Sequence, residues 1–239
     1  MVPEKVTDIL ECSEMSDPLR LPAVDAAMMS YLILKGHLML TPLEIVTFTD
    51  PPAPDGADPV VGHRRDGPIE IADYDPAWPD LAVEFIDRIR SALGTRAINL
   101  EHVGSTSVPG LPAKPIIDID LTVADPSREE AWLPPLEQAG FALAIREPWW
   151  HEHRVVVANG PAANVHVFPP GCPELYRHRV FRDWLRANPD DRARYMEIKT
   201  RSAEAASARG ETVMQYNDRK SAVIREIYGR AFRAAGLLD

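Results

Sequence analysis

The sequence predicts an α+β protein in which a mixed β-sheet is flanked by helices and the C-terminal region is helical. Three observations predict this class. Segments with the apolar alternation of strands are concentrated between residues 97 and 168. Apolar residues at helical spacing precede them, in residues 77–94. The same helical spacing returns from residue 173 and continues to the C-terminus.

A segment dense in proline, glycine and aspartate divides the chain at residues 49–68, "TDPPAPDGADPVVGHRRDGP". Such a segment cannot propagate helix or sheet hydrogen bonds for long, so we predict a linker. The expected parts are an N-terminal extension of unknown role at 1–48, this linker, and a folded domain at 69–235.

The folded domain opens with a short strand, a turn and a helix, over "IEIADYDPAWPDLAVEFIDRIRSALG". Pro79 suits the first turn of this helix, and Gly94 suits its C-terminal end. Apolar residues at steps of three and four predict one buried stripe along the helix. The stripe consists of Ala82, Phe85, Ile86, Ile89 and Leu93.

Five later segments are predicted as strands: "AINLEHV", "PIIDIDLTV", "FALAI", "HRVVVA" and "NVHVF". A helix candidate, "SREEAWLPPLEQAG", lies between the second and the third. Its Ser127 and Glu130 have capping-box spacing, and Pro134 and Pro135 are expected to kink or shorten it. Three more helices are predicted over "ELYRHRVFRDWLRANP", "DDRARYMEIKTRSAEAASARG" and "ETVMQYNDRKSAVIREIYGRAFRAAG".

Composition narrows the class of protein. Hydrophobic residues make up 45% of the chain and the formal net charge is −10, so we expect a packed core and no broad electrostatic binding to nucleic acid. Cys12 and Cys172 cannot form a disulfide framework, which fits the cytoplasm. The N-terminus lacks signal-peptide order. The most apolar window, "AAMMSYLILKGHLML", falls short of the roughly 20 apolar residues that span a bilayer, so no membrane partner is expected.

Two aspartates in one predicted strand are the first candidate for chemistry. Side chains alternate along a strand, so Asp118 and Asp120 share one face with α-carbons about 6.6 Å apart. Burying two unpaired carboxylates would cost several kcal/mol, so they should lie at an open strand end or face a cation. Magnesium is the expected cation, because it prefers a few carboxylates together with water and phosphate oxygens.

A glycine-serine turn precedes that strand. Glycine at 104 would let the backbone approach a ligand closely, and the amides and hydroxyl at Ser105 suit phosphate oxygens. Either motif alone is common. Together they bracket one strand-loop-strand unit, with twelve residues between Ser105 and Asp118, which makes the combination more specific.

The chain from Ile69 to Phe232 resembles the GrpB family (UPF0157-type), which is assigned to the nucleotidyltransferase fold. The matching segments are "YDPAWP" at 74–79, "EHVGSTSVPGLPAKPIIDI" at 101–119, "HR" at 153–154, "VHVFPPGCPE" at 165–174, "FRDWLRANPD" at 181–190 and "YNDRKSAVI" at 216–224. The resemblance implies a nucleotidyltransferase-like mixed sheet. It leaves the first sixty-odd residues unexplained.

The resemblance also implies an activity. Gly104 and Ser105 would bind nucleotide phosphates, and Asp118 and Asp120 would hold Mg²⁺ or another divalent cation. The reaction would move a nucleotidyl group from a nucleoside triphosphate to an unknown small-molecule or protein acceptor, by in-line attack on the α-phosphate.

The sequence departs from that pattern at the third acid. The strand expected to supply it reads "NVHVF", which puts His166 in this place. Neutral imidazole can bind a metal or act as a base, but it brings no negative charge for a second magnesium. A one-metal site, a softer metal, or a non-catalytic module that binds a nucleotide or a partner protein are therefore open alternatives.

Further polar residues are candidates for substrate binding: His102, Lys114, Arg154, Lys199 and Lys220. Lys114 precedes the aspartate strand, and Arg154 offers a planar fork for phosphate or carboxylate. Lys199 and Lys220 each follow a tyrosine by four residues, so each pair shares a helix face. For all five the alternative is a structural or solvent-facing role.

The segment "PWWHEH" at 148–153 is rich in aromatic residues and histidine. It could stack on a base or an acceptor, but aromatic packing at a sheet edge is the commoner explanation. His151 and His153 alternate along a possible strand. Without a neighbouring cysteine or acid cluster they are weak zinc ligands.

Overall fold

The computed structural model describes residues 40–48, 51–62 and 69–239. Cys12 lies outside these residues. So does the apolar window at residues 26–40, except for Leu40. The strands are β1 (Asn99–Val103), β2 (Ile117–Thr122), β3 (Ala142–Glu147), β4 (His153–Asn159) and β5 (Ala162–Phe168). The α-helices are α1 (Pro42–Val46), α2 (Trp78–Leu93), α3 (Glu129–Gln138), α4 (Pro173–Ala187), α5 (Pro189–Arg209) and α6 (Val213–Ala234).

The five strands form one mixed sheet in the order β1-β2-β5-β4-β3. The central strands β2 and β5 run parallel, and every other neighbouring pair is antiparallel. The register places Asp118 beside Asn164 and Asp120 beside His166. The predicted α+β class is therefore confirmed, and the predicted polar residues lie side by side on the two central strands.

Helices α2 and α3 cover one face of the sheet. The predicted stripe of α2 packs there, with four of its members buried and Ile86 partly buried. Alternate residues of β2 and Val123, which follows it, face this core together with Trp132 and Leu136 of α3. The alternation leaves Asp118 and Asp120 on the opposite face, as the sequence predicts.

The C-terminal helices lie on that opposite face. Helices α5 and α6 pack against each other, and α4 packs against α6 and approaches β1. Their shared core contains Leu185, Tyr195 and Ile227, with Val108 and Leu111 from the loop before β2. A polar space is thereby enclosed between the sheet and the helices. None of the helices in the described part of the chain is long and apolar enough to cross a membrane.

Two local predictions were wrong. The segment "IEIA" forms only one bridge, between Ala72 and Ala113, because its partner is a proline-flanked loop that offers no ladder. The capping box of α3 does not form, because the backbone and hydroxyl of Ser127 both donate to Asp125 Oδ1, at 2.9 and 2.6 Å. This local turn competes with capping, and α3 begins after Arg128 with both prolines inside it.

Residues before the folded domain pack onto it. Helix α1 places Ile45 against Tyr228 and Phe232 of α6. Arg177 of α4 donates to the carbonyls of Glu44, Ile45 and Thr47 at 2.6–2.8 Å, so it caps the C-terminal end of α1. Farther along the chain, Val60 bridges Ile145 at the edge strand β3.

Candidate functional site

The glycine-serine turn lies against the first aspartate. Gly104 has φ +68° and ψ −170°, a conformation that side chains other than glycine rarely adopt. A Cβ at this position would lie 2.5 Å from Asp118 Oδ2. The Ser107 hydroxyl donates to the Gly104 carbonyl at 2.6 Å, and Ser105 shares a hydrogen bond with Tyr195 of α5. Glycine is required here because the turn touches the carboxylate.

A cavity of about 320 Å³ opens beside this turn, between the sheet and helices α4 to α6. Seven of the predicted site residues line it: Gly104, Ser105, Lys114, Asp118, His166, Lys199 and Lys220. Six polar or aromatic side chains that the sequence analysis did not propose also line it: Thr106, Asn164, His178, Tyr195, Tyr216 and Asn217. The structure therefore brings most of the predicted residues into one place.

Asp118 presents its carboxylate to this cavity. Asn164 Nδ2 donates to its Oδ1 at 2.9 Å, and His166 Nε2 lies 3.8 Å from the same oxygen. Burial acts to raise the pKa of Asp118, but His166, Asn164 and Lys114 together hold that pKa below its ordinary value. The carboxylate is therefore ionised at neutral pH.

Asp120 is bound to a helix. His178 Nδ1 of α4 lies 2.9 and 3.1 Å from the two oxygens of the carboxylate, and the Asp120 side chain is only 3% exposed. Burial opposes protonation of His178, but the charge of Asp120 raises the pKa of this histidine to about 9. The two groups form a buried ion pair, and Asp120 does not line the cavity.

His166 belongs to a chain of hydrogen bonds that the sequence analysis missed. His153 Nδ1 lies 2.7 Å from Glu147 Oε2, and His153 Nε2 lies 3.2 Å from His166 Nδ1. Burial lowers the pKa of His153 to about 4, so this ring is neutral. Since Glu147 accepts the proton at Nδ1, Nε2 of His153 accepts from His166 Nδ1. The Nε2 atom of His166 is thereby directed at Asp118 and the cavity.

Three lysines, all of them predicted as candidates for substrate binding, line the cavity. Of the 26 basic residues in the chain only five are lysines, at positions 5, 35, 114, 199 and 220. The three that fall within the described part of the chain all line this cavity. Lys199 donates to the Pro112 carbonyl at 2.8 Å, and the ammonium of Lys220 lies 3.9 Å from the Tyr216 ring centre.

Two of these lysines are buried, Lys199 with 3% and Lys220 with 8% exposure. Burial and the charge of Lys220 lower the pKa of Lys199 to about 7. Burial and the charge of Lys114 lower the pKa of Lys220 to about 7 as well. The negative charge of Asp118 opposes both pKa shifts. Asp118 is the one carboxylate among the residues that line the cavity. The site is therefore cationic within an acidic protein.

Two predicted substrate-binding residues lie away from the cavity. Arg154 points to the face covered by α3, where its guanidinium donates to Glu129 at 2.7 Å. His102 pairs with Ile119 across the strands and so shares the core face, with its Nε2 3.0 Å from Thr106 Oγ1. In the segment "PWWHEH", Trp150 packs edge-on against His153 and Phe168, as expected of aromatic packing.

The arrangement does not fit the predicted pair of magnesium ions. Two-metal sites need carboxylates that converge on the cations. Asp118 faces the cavity, but Asp120 does not line it and both of its oxygens contact His178 Nδ1. Across residues 40–48, 51–62 and 69–239, no group of three or more histidine, cysteine, aspartate or glutamate side chains is placed to hold a metal.

The fold and the cavity define an α+β protein with a cationic pocket enclosed between a mixed sheet and C-terminal helices. Sequence comparison specifies the family: the family described as "GrpB protein" matches residues 68–230, and the chain belongs to it. A UPF0157 protein of Halalkalibacterium halodurans is 48% identical over 163 residues, which cover 68% of this chain and 82% of that protein. One from Streptomyces coelicolor is 41% identical over 172 residues, covering 72% and 89%.

A solved structure and a longer protein are also similar. The crystal structure of GrpB from Enterococcus faecalis matches with a TM-score of 0.59 and 28% identity, covering 69% of this chain and 98% of that one. A dephospho-CoA kinase of Mycolicibacterium paratuberculosis is 34% identical over 163 residues. That match covers 57% of this chain but only 40% of the kinase, so the similarity concerns a part of that protein.

Proposed function

We propose that the cavity binds the phosphate chain of a nucleoside triphosphate, and that the protein transfers the nucleotidyl group to an acceptor. One observation carries the proposal: a single cavity joins the Gly104-Ser105 turn, the Asp118 carboxylate and three lysines. A backbone turn with a hydroxyl can hold phosphate oxygens, and ammonium groups can neutralise their charge.

The group transfer needs an attacking atom and a proton acceptor. An acceptor oxygen would attack the α-phosphorus and form a new P–O bond while the bond to the β-phosphate oxygen breaks and pyrophosphate leaves. The proton of the acceptor hydroxyl would pass to His166 Nε2, which Glu147 and His153 direct at the cavity. Asp118, 3.8 Å away, would stabilise the imidazolium that forms.

Pyrophosphate release from labelled nucleoside triphosphates in the presence of candidate acceptors tests this function, with and without Mg²⁺. Wild-type protein should release pyrophosphate, and Asp118→Ala and His166→Gln should release far less. Arg201→Met is the matched control, because Arg201 is an exposed cation on the same helix as Lys199. Equal release by wild type and Asp118→Ala would refute nucleotidyl transfer at this site.

A second candidate is a module that binds a nucleotide without transferring any part of it. The ion pair of Asp120 with His178 favours this candidate, because it leaves one carboxylate in the cavity. Similarity to part of a longer kinase is also what an accessory module would show. Calorimetry distinguishes the two: tight nucleotide binding without turnover supports the module, and turnover with any acceptor rejects it.

A further inference from the structure

We infer that Lys114, Lys199 and Lys220 neutralise a bound phosphate chain in place of divalent cations, so that the cavity takes a di- or triphosphate chain without metal. The inference rests on the proposed function. It goes beyond that function by naming the counter-charge and the class of anion, and it departs from the magnesium ions that the sequence predicts at Asp118 and Asp120.

The balance of charge in the cavity supports the inference. Asp118 is the one carboxylate among its lining residues, whereas three ammonium groups line it. The second aspartate of the strand is held by His178, and a histidine stands where a third acid is expected. A cation entering this cavity alone would meet more positive than negative charge, so repulsion would oppose its binding.

The positions of the lysines show that they act as a group. The ammonium groups of Lys114 and Lys220 lie over the same Tyr216 ring, 5.4 and 3.9 Å from its centre. Lys199 lies over Tyr195, which shares a hydrogen bond with Ser105 of the turn. These lysines come from the loop before β2, from α5 and from α6, so three separate elements supply positive charge to one space.

Their burial indicates a ligand with several negative charges. Removing clustered ammonium groups from water is costly unless an anion compensates them, and Lys199 and Lys220 are both more than nine-tenths buried. The same burial lowers the pKa of both lysines. A single phosphate cannot match three cations as well as a linked chain can. The site therefore favours pyrophosphate or triphosphate over orthophosphate.

Calorimetric titration with inorganic triphosphate tests the inference, in EDTA and at about pH 6, one unit below the pKa of both buried lysines, where both are mostly protonated. Wild-type protein should bind triphosphate more tightly than orthophosphate. Lys220→Met and Lys114→Met should each weaken binding by about tenfold or more, and Arg201→Met should leave it unchanged. Asp118→Asn should bind at least as tightly as wild type, because the substitution removes a repulsive charge.

Two results would contradict these proposals, and they can be told apart. If triphosphate binds only when Mg²⁺ is supplied, and Asp118→Asn abolishes that binding, a metal supplies the counter-charge and the inference is overturned while the proposed function stands. If neither triphosphate nor any nucleoside triphosphate binds with or without Mg²⁺, the proposed function itself fails. Thermal melts check that each variant is folded. Lys114 lies in a loop, so Lys114→Met tests the inference without changing a residue of the helical core.

Discussion

Gly104 shows how one residue determines the shape of the site. Its positive φ and its contact with Asp118 together exclude a side chain. We expect Gly104→Ala to destabilise the protein by about 1–3 kcal/mol and to displace the carboxylate. Gly110→Ala is the matched control, because Gly110 also has a positive φ (74°) but has nothing within 4 Å of a built Cβ. Urea unfolding should show the larger loss for Gly104→Ala, and equal losses would contradict the contact.

Asp118 and Asp120 share a strand face, but we expect them to contribute differently to stability and to ligand binding. Asp120→Asn breaks the buried ion pair and removes the charge that keeps His178 protonated, so we expect the free energy of unfolding to fall by about 3–5 kcal/mol. Asp118→Asn keeps an oxygen for Asn164 and should change stability little while it alters ligand binding. Chemical denaturation of both variants measures this. A metal-binding pair would instead give matching effects on ligand binding and little effect on stability.

The lysines give the site a pH dependence whose sign is fixed. The pKa of Lys220 is about 7 in the folded protein against an ordinary 10.5, and Lys114, Lys199 and Asp118 are the charged groups around it. Between these values the unfolded chain binds more protons, so the lysines make stability rise with pH in this window. Lys220→Met should therefore be more stable than wild type near pH 6, with an advantage that shrinks toward pH 10.

Phosphate affinity should change with pH in the opposite direction. As the pH rises through about 7, Lys199 and Lys220 lose protons and the cavity loses positive charge, so triphosphate affinity should fall. Titrations at a series of pH values, with wild type and Lys220→Met compared, measure this. An affinity that stays flat from pH 6 to pH 9 would show that these lysines do not carry the interaction.

At the scale of secondary-structure elements, helix α1 lies before the family domain, and its contacts predict that it contributes to the stability of the fold. Arg177 is 1% exposed, donates to three carbonyls at the end of α1 and pairs with Glu174. Arg177→Ala leaves those acceptors unpaired and removes the arginine partner of the buried Glu174 carboxylate, so we expect the free energy of unfolding to fall by about 3–5 kcal/mol and proteolysis after α1 to be faster. The exposed Arg201→Ala is the control. A loss below about 1 kcal/mol would show that α1 contributes little.

The elements themselves were predictable where one pattern dominated. The apolar alternation in β2 correctly predicted which face of the strand is buried and that Asp118 lies on the other face. The apolar stripe of α2 correctly predicted that this helix packs against the sheet. The failures lie where a local or distant partner competes. Ser127 prefers Asp125 to its capping role, and Asp120 is neutralised by His178, which lies 58 residues farther along the chain. Spacing within a strand contains no information on such a partner.

For the molecule as a whole, the net charge of −10 hides a cationic cavity. Composition argues against broad binding of polyanions, but the net charge is an average over the whole chain and does not reveal a local cationic site built from three separate elements. The scarcity of lysine was a readable signal: in a chain whose basic residues are mostly arginine, the lysines at 114, 199 and 220 are exceptional. Their convergence required the packing of α5 and α6 against the sheet.

The central claim is that this cavity is the phosphate site. A crystal structure of the protein grown with a non-hydrolysable nucleoside triphosphate, in EDTA, tests the claim most directly. We predict density for the phosphate chain beside the Gly104-Ser105 turn, with phosphate oxygens in hydrogen-bond range of the ammonium groups of Lys199 and Lys220. Density for the nucleotide elsewhere, with these lysines contacting only Pro112 and Tyr216, would contradict it.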